Sequence, residues 1–206
     1  LGKEMGVETF IPCDVSSDIE IKETFENLSS YWEGLDAVIH AVGFAPREEL
    51  DGESFSHACA ASRALDAGAN QLYQVGIRAY SKEELKRINS DNRINTWFCK
   101  DIMSPCGGEI HWNEWISEIS KIDGPVHLTI DIDGLDGSLV PATGTPVPGG
   151  LSYWHVVQTI ETLFLNCKVI SADVNEIVPQ KDSNLTQFTA AMLVTKIIAA
   201  KINSMN

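Results

Sequence analysis

The five cysteines, Cys13, Cys59, Cys99, Cys106 and Cys167, include no C-x-x-C pair, and their number is odd. That excludes a zinc ribbon, a thioredoxin-type pair and an even disulfide framework, so reduced thiols in a cytoplasmic compartment are expected. Positive charge is scarce: 15 Lys and Arg stand against 29 Asp and Glu, a net charge of −14. This balance argues against a nucleic-acid partner or an anionic membrane surface and suits a small cationic molecule. The longest apolar stretch, AAMLVTKIIAA near the C-terminus, carries Lys196 and is short for a bilayer, so no membrane partner is expected. None of the 15 glycines falls into a G-x-G-x-x-G spacing. The chain opens at Leu1 in mid-phrase, LGKEMGVETFIPCDV, without a signal-peptide pattern, and reads as a chain that has lost its start.

What is present is the material of a core. The 206 residues, 44% hydrophobic and 21% charged, suffice for one large domain or two small ones. Apolar runs of strand length occur at VETFIPC, LDAVIHAV, QLYQVGIR, PVHLTIDI and KVISADV. Several are continuous rather than alternating, as expected of parallel strands covered on both faces. Helical patterns lie between them at about Asp18–Trp32, Ser54–Ala67, Ser81–Ile88, Trp112–Ile122, Ser152–Leu165 and Leu185–Ile202. Ser17 or Asp18, Ser54, Ser81 with Glu84, and Ser152 supply capping signals. The alternation predicts an α/β fold, a three-layer α/β/α arrangement with a mostly parallel sheet. The irregular stretch from Gly43 to Ser54 is the best boundary candidate.

One segment points to chemistry. In LTIDIDGLDGSLVPATGTPVPGG, residues 128–150, a β-branched run ends in Asp131, Asp133 and Asp136. Carboxylates so close repel one another unless a cation lies between them. On a strand, Asp131 and Asp133 project to one side with Cα atoms roughly 6.6 Å apart, at the C-terminal end where parallel sheets bind ligands. Oxygen donors of this kind suit hard divalent ions. The plainer reading is a turn in which Asp136 bonds the backbone.

The phrase DIDGLDGSLVPATGTPVPGGLSY resembles the signature segment of the ureohydrolases, the arginase and agmatinase family. SHACAASRALD at Ser56–Asp66, YQVGIR and SADVNEIVPQKD resemble further segments of that family, so the likeness runs from about Gly52 to the C-terminus. The S-H-A segment followed by an arginine is closer to agmatinase than to arginase. The resemblance implies cleavage of a small cationic guanidino compound, agmatine favoured, to urea and an amine, with a pair of Mn2+ ions activating water. It implies an arginase-like fold for residues 53–206 and homo-oligomers of the complete domain. It makes Asp131 the bridging ligand, Asp133 a ligand of one ion, His57 the proton shuttle, Glu176 the guanidinium holder and Thr145 a wall of the pocket.

The same resemblance shows what is missing. The family's remaining ligands come from a G-G-D-H-S-like turn and a D-x-H-x-D strand end, and neither pattern occurs in this chain. EIHWN at Glu109–Asn113 opens a helix and is a poor substitute, and His40, His127 and His155 sit among apolar neighbours and are expected to be packed. Residues 1–52 instead resemble an internal piece of enoyl-acyl-carrier-protein reductase, a relative of the short-chain dehydrogenases, with CDV at a strand end and AVGFAP closing the next strand. That resemblance implies a Rossmann-like piece in which Asp14 and Val15 border the adenine of NAD and Gly43 lies along the ribose. Its catalytic Tyr-Lys pair is absent, since Tyr80 has Lys86 six residues on and Arg87 seven. The leading expectation is an incomplete, weak or inactive ureohydrolase of manganese type. The alternatives are an NAD-dependent reductase fragment and a non-catalytic recombined α/β module.

Overall fold

The apolar runs of the sequence become the strands of one parallel sheet. The computed structural model describes Ile19, Glu23, Glu26, Asn27, residues 37–41 and residues 64–205. The chain divides into two compact units, Leu1–Gly34 and Leu35–Asn206, and the second holds the sheet. Its strands are β1 (Ala37–Ala41), β2 (Gln71–Ile77), β3 (Ile94–Phe98), β4 (Pro125–Asp131) and β5 (Lys168–Asn175). All four pairings are parallel, in the order β3-β2-β1-β4-β5. The chain steps outward through β2 and β3, then returns to the other side of β1 for β4 and β5. The order therefore reverses between β1 and β4, and open α/β sheets bind ligands beyond the C-terminal strand ends at such a reversal. The fold is mixed α/β with parallel strands.

The helices are α1 (Lys82–Ser90), α2 (Cys99–Ile102), α3 (Gly108–Ile119), α4 (Tyr153–Asn166) and α5 (Leu185–Asn203). Ser81 caps α1 in a capping box with Glu84, as its sequence pattern demands. Ser152 caps α4, and here the reciprocal partner is His155, whose Nδ1 accepts from the Ser152 N–H at 3.2 Å. His155 also packs on the Trp112 ring at 4.4 Å between centroids, and burial lowers its pKa, so it is a neutral structural residue. Helix α3 begins at Gly108, four residues before the expected Trp112, and ends at Ile119 rather than Ile122.

One face of the sheet carries the main core. Val126, Leu128 and Ile130 of β4 are completely buried there, against Trp115 and Ile119 of α3, Ile160 and Leu163 of α4, and Leu193 of α5. The indole N–H of Trp115 donates to Thr159 Oγ1 at 3.0 Å and that of Trp112 to Gln158 Oε1 at 2.7 Å, so α3 and α4 are joined by satisfied polar groups as well as apolar area. The opposite face of β4 presents His127, Thr129 and Asp131. Thus β4 alternates, as its own sequence does, with Val126, Leu128 and Ile130 inward and His127, Thr129 and Asp131 on the other face. Its parallel neighbours cover the edges, and a polar row occupies the second face.

Candidate functional site

Asp131 is the last residue of β4, and the strand does not continue to Asp133. A 3-10 turn, Ile132–Gly134, begins there, with the Asp133 N–H donating to Asp131 Oδ1 at 3.2 Å. The expectation that both carboxylates project from one strand is thereby corrected: they meet because the chain turns. Asp133 is 4% exposed, and its Oδ2 accepts from the Thr145 hydroxyl at 2.5 Å. Across the sheet Asp131 is in register with Asn175, the end of β5, so the next residue, Glu176, arrives beside the pair. Glu176 has φ 62°, in the left-handed region that a branched or long side chain rarely adopts. Its Oε2 stands 3.9 Å from the point where a Cβ on Gly144 would lie.

The electrostatics match this crowding. Burial, reinforced by the charge of Asp133 and then of Glu176, pushes the Asp131 carboxyl up to about 8. The folded value lies above the ordinary 3.8. The stability linked to Asp131 is therefore fully present below about 3.8 and is lost progressively as pH rises from there through about 8.

Residues 135–151 form a loop whose ends are pinned together. Leu135 and Leu151 make a parallel bridge, Leu151 N–H donates to Gly134 O at 2.8 Å, and Asp136 N–H donates to Leu151 O at 3.0 Å. Asp136 holds the loop from inside. Its Oδ1 accepts from Ser138 N–H and hydroxyl, and its Oδ2 from Gly149 N–H at 2.7 Å and Gly150 N–H at 3.3 Å. The Ser138 bonds in particular hold its carboxyl down at about 2. The third aspartate is therefore the turn residue of the plainer reading.

Arg78, just beyond β2, was not singled out from the sequence. Its guanidinium donates to Val147 O at 2.7 Å and to Asp133 O at 2.5 Å, with a longer contact to Leu135 O, so it ties the loop to the strand ends. Nothing local in GIRAY announces this, because every partner but Gly76 O lies more than 50 residues away. Arg78→Ala leaves several carbonyls without donors and is expected to destabilise the chain by about 2 kcal/mol. Urea unfolding measures that loss, and limited proteolysis should show new cleavage within the loop.

On the polar face, Asp173 of β5 accepts from Thr129 Oγ1 at 2.6 Å and faces His127 Nε2 at 3.0 Å, while His127 Nδ1 lies 2.7 Å from Ser171 Oγ. Burial raises the Asp173 pKa, but the hydrogen bond and charge of His127 together with the hydrogen bonds of Thr129 and Asn175 outweigh it, and the net direction is downward. His127 is thus paired with a carboxylate rather than packed among apolar neighbours, correcting the expectation for that residue.

Asp131, Asp133, Thr145 and Glu176 are accordingly gathered at the ends of β4 and β5. His57, Asp14, Val15 and Gly43 lie outside the described residues. The hard oxygen donors of the buried acid pair fit a divalent ion in kind. In number they fall short: among the described residues no group of three or more His, Cys, Asp or Glu is arranged to hold one. Strand β1 runs between β2 and β4, with Ala41 opposite Ile130, and the next three residues in the sequence, Val42-Gly43-Phe44, contain no ligating side chain.

A parallel α/β sheet with clustered carboxylates at its order reversal defines a class of ligand-binding α/β proteins. The Arginase family model matches residues 46–200, three quarters of the sequence, and the chain belongs to the arginase family. The Enoyl-(Acyl carrier protein) reductase model matches residues 1–88, so the two overlap over 46–88 and β1 falls in the part matched by the reductase model alone. An agmatinase of Pyrococcus horikoshii is 32% identical over 152 residues, covering 74% of this chain and 50% of the relative. An N(1)-aminopropylagmatine ureohydrolase of Thermococcus kodakarensis is 32% identical over 154 residues, covering 75% and 50%. The agmatine ureohydrolase structure of Thermoplasma volcanium superposes with a TM-score of 0.69 at 28% identity, covering 87% of this chain and 59% of that one. The chain spans about half the length of the curated relatives it matches.

Proposed function

We propose that residues 53–206 are the C-terminal part of an agmatinase-type ureohydrolase domain, preceded over residues 1–52 by a reductase-type Rossmann-like piece. The complete domain on this reading is a three-layer α/β/α structure. The observation that carries the proposal is the convergence of Asp131, Asp133, Thr145 and Glu176 at one pair of strand ends. Asp131 and Asp133 would hold the ions, and the Thr145 hydroxyl fixes the Asp133 carboxylate. Glu176 presents a planar anionic fork to a guanidinium, the geometry that orients such a group. His57 would deliver a proton to the departing amine, and the products from agmatine would be urea and putrescine. When bound, Mn2+ supplies Lewis acidity and an activated water.

With one strand end's ligands, ion affinity is low. The purified chain is expected to lose Mn2+ on brief dialysis against metal-free buffer and to release no measurable urea from agmatine. Two ions retained stoichiometrically, counted by plasma emission, would overturn the incomplete-site reading. A reductase reading is favoured only by the match to residues 1–88. Against it, the glycine-rich pyrophosphate turn and the Tyr-Lys pair are missing from the sequence, and the Tyr80 ring packs on Phe98 with centroids 5.0 Å apart.

A further inference from the structure

The register between β4 and β5 slips once. Val126 is opposite Val169, but the next residue of β4, His127, is opposite Ser171, so Ile170 is the extra residue. Without the slip Ser171 would face the completely buried Leu128, and Asp173 the completely buried Ile130. With it, Ser171, Asp173 and Asn175 stand on the polar face, opposite His127, Thr129 and Asp131. Such irregularities recur beside active sites, where they re-aim a side chain. Here the re-aimed groups form a line of bonds. Ser171 Oγ lies 2.7 Å from His127 Nδ1, and His127 Nε2 lies 3.0 Å from Asp173 Oδ2. Asp173 Oδ1 accepts in turn from Thr129 Oγ1 at 2.6 Å and from Asn175 Nδ2. An ionised Asp173 selects the tautomer with its proton on Nε2, which leaves Nδ1 to accept from the Ser171 hydroxyl. The two ring nitrogens are exchanged relative to the commonest Ser-His-Asp triads, yet the roles survive, since one nitrogen accepts while the other donates.

We propose that Ser171, His127 and Asp173 form a second reactive centre, which hydrolyses small activated carboxylic esters through an acyl group carried on Ser171. Ser171 Oγ bonds to the ester carbonyl carbon as its proton passes to His127 Nδ1. The bond from that carbon to the alcohol oxygen then breaks, and the alcohol leaves with the proton. Water, deprotonated by the same nitrogen, takes the acyl group away as the carboxylic acid and returns a proton to Ser171. Asp173 touches no reacting atom and is a positioning residue. Among the described residues β5 is an edge of the sheet. Successive N–H groups of a strand point to opposite sides, so one of those on Ser171 and Ala172 points away from β4 and is available to the developing oxyanion. The side chains of His127 and Asp173 are 26% and 40% exposed, so a small ester reaches the centre directly from solvent. The centre shares no residue with Asp131, Asp133, Thr145 or Glu176, and its test is independent of the ureohydrolase reading.

The full chain mixed with p-nitrophenyl acetate in buffer containing EDTA is expected to give a burst of about one equivalent of nitrophenolate per chain, then slower turnover. After an acid quench during turnover, the acetyl group should be found on the tryptic peptide VISADVNEIVPQK, residues 169–181, whose single hydroxyl is that of Ser171. Ser171→Ala should abolish the burst, and His127→Gln should slow it by roughly 100-fold or more. Asp173→Asn should also slow it, and Asp173→Glu should recover part of the lost rate, a rescue that a purely structural role would not give. A parent chain without a burst overturns the proposal. So does a burst that survives in Ser171→Ala, or an acetyl group found only on other peptides.

Discussion

Replacing Leu1–Asp51 with the N-terminal half of an agmatinase is expected to yield a protein that releases urea from agmatine in a manganese-dependent way. The exchange swaps β1, the strand hydrogen-bonded to β4 beside Asp131, for one that ends in the missing ligands. Both sides of the ion pair would then be supplied from adjacent strand ends, and the ions would be fixed relative to the guanidinium that Glu176 is proposed to orient. In that background Asp131→Asn should abolish activity. Glu176→Gln should lower kcat/KM by roughly 100-fold, because a neutral amide keeps the shape but loses the charge-assisted bonds to the guanidinium. His57→Ala should slow release of the amine. A rebuilt protein that folds and binds two Mn2+ yet hydrolyses no guanidino compound would falsify the ureohydrolase assignment.

Gly150→Ala is expected to cost about 3 kcal/mol or more and to dismantle the loop neck. A Cβ at Gly150 would stand 2.5 Å from the carbonyl carbon and oxygen of Leu135 and 2.6 Å from Asp136 N. All three are backbone atoms of the segment bridged to Leu151, so no side-chain rotation relieves the overlap. Relief requires opening the bridge, which also pulls Gly150 N–H from Asp136 and loosens the loop that carries Thr145 to Asp133. Gly149→Ala is the control. Its φ is +78° but nothing lies within 4 Å of the added atom, so only the left-handed backbone penalises it, by about 1 kcal/mol. Denaturant midpoints that coincide for the two variants would contradict the steric argument.

The continuous apolar runs made β1, β2, β4 and β5 legible, and Ser81 and Ser152 marked where α1 and α4 begin. Strand β3 was not legible. INTWF has no apolar run, because Asn95 and Thr96 are satisfied across the sheet by Gln71 and Gln74 of β2, a pairing no local window contains. The start of α3 was hidden for another reason. Gly107 and Gly108 read as a turn, whereas a Cβ on Gly108 would stand 2.1 Å from Ile102 O, so glycine there answers a close approach to the end of α2. At the site, Asp131, Asp133 and Glu176 could be named because their spacing and surroundings match a known signature. Arg78 could not, since its role depends on carbonyls brought to it by the fold.

The position of β1 separates two things that are ordinarily lost together. A parallel ladder is made of peptide groups, and any segment that offers the right alternation of N–H and C=O at the right pitch can fill a gap between two strands. The peptide partners of β1 on β2 and β4 run in register over all five of its residues, and that pairing makes no demand on the side chains beyond Ala41. Architecture in such a sheet is therefore indifferent to ancestry, while reactivity hangs on two or three side chains at each tip. A sheet of this kind would keep its shape through an exchange of its middle strand, while any chemistry at its tips would depend on the side chains the new strand brought.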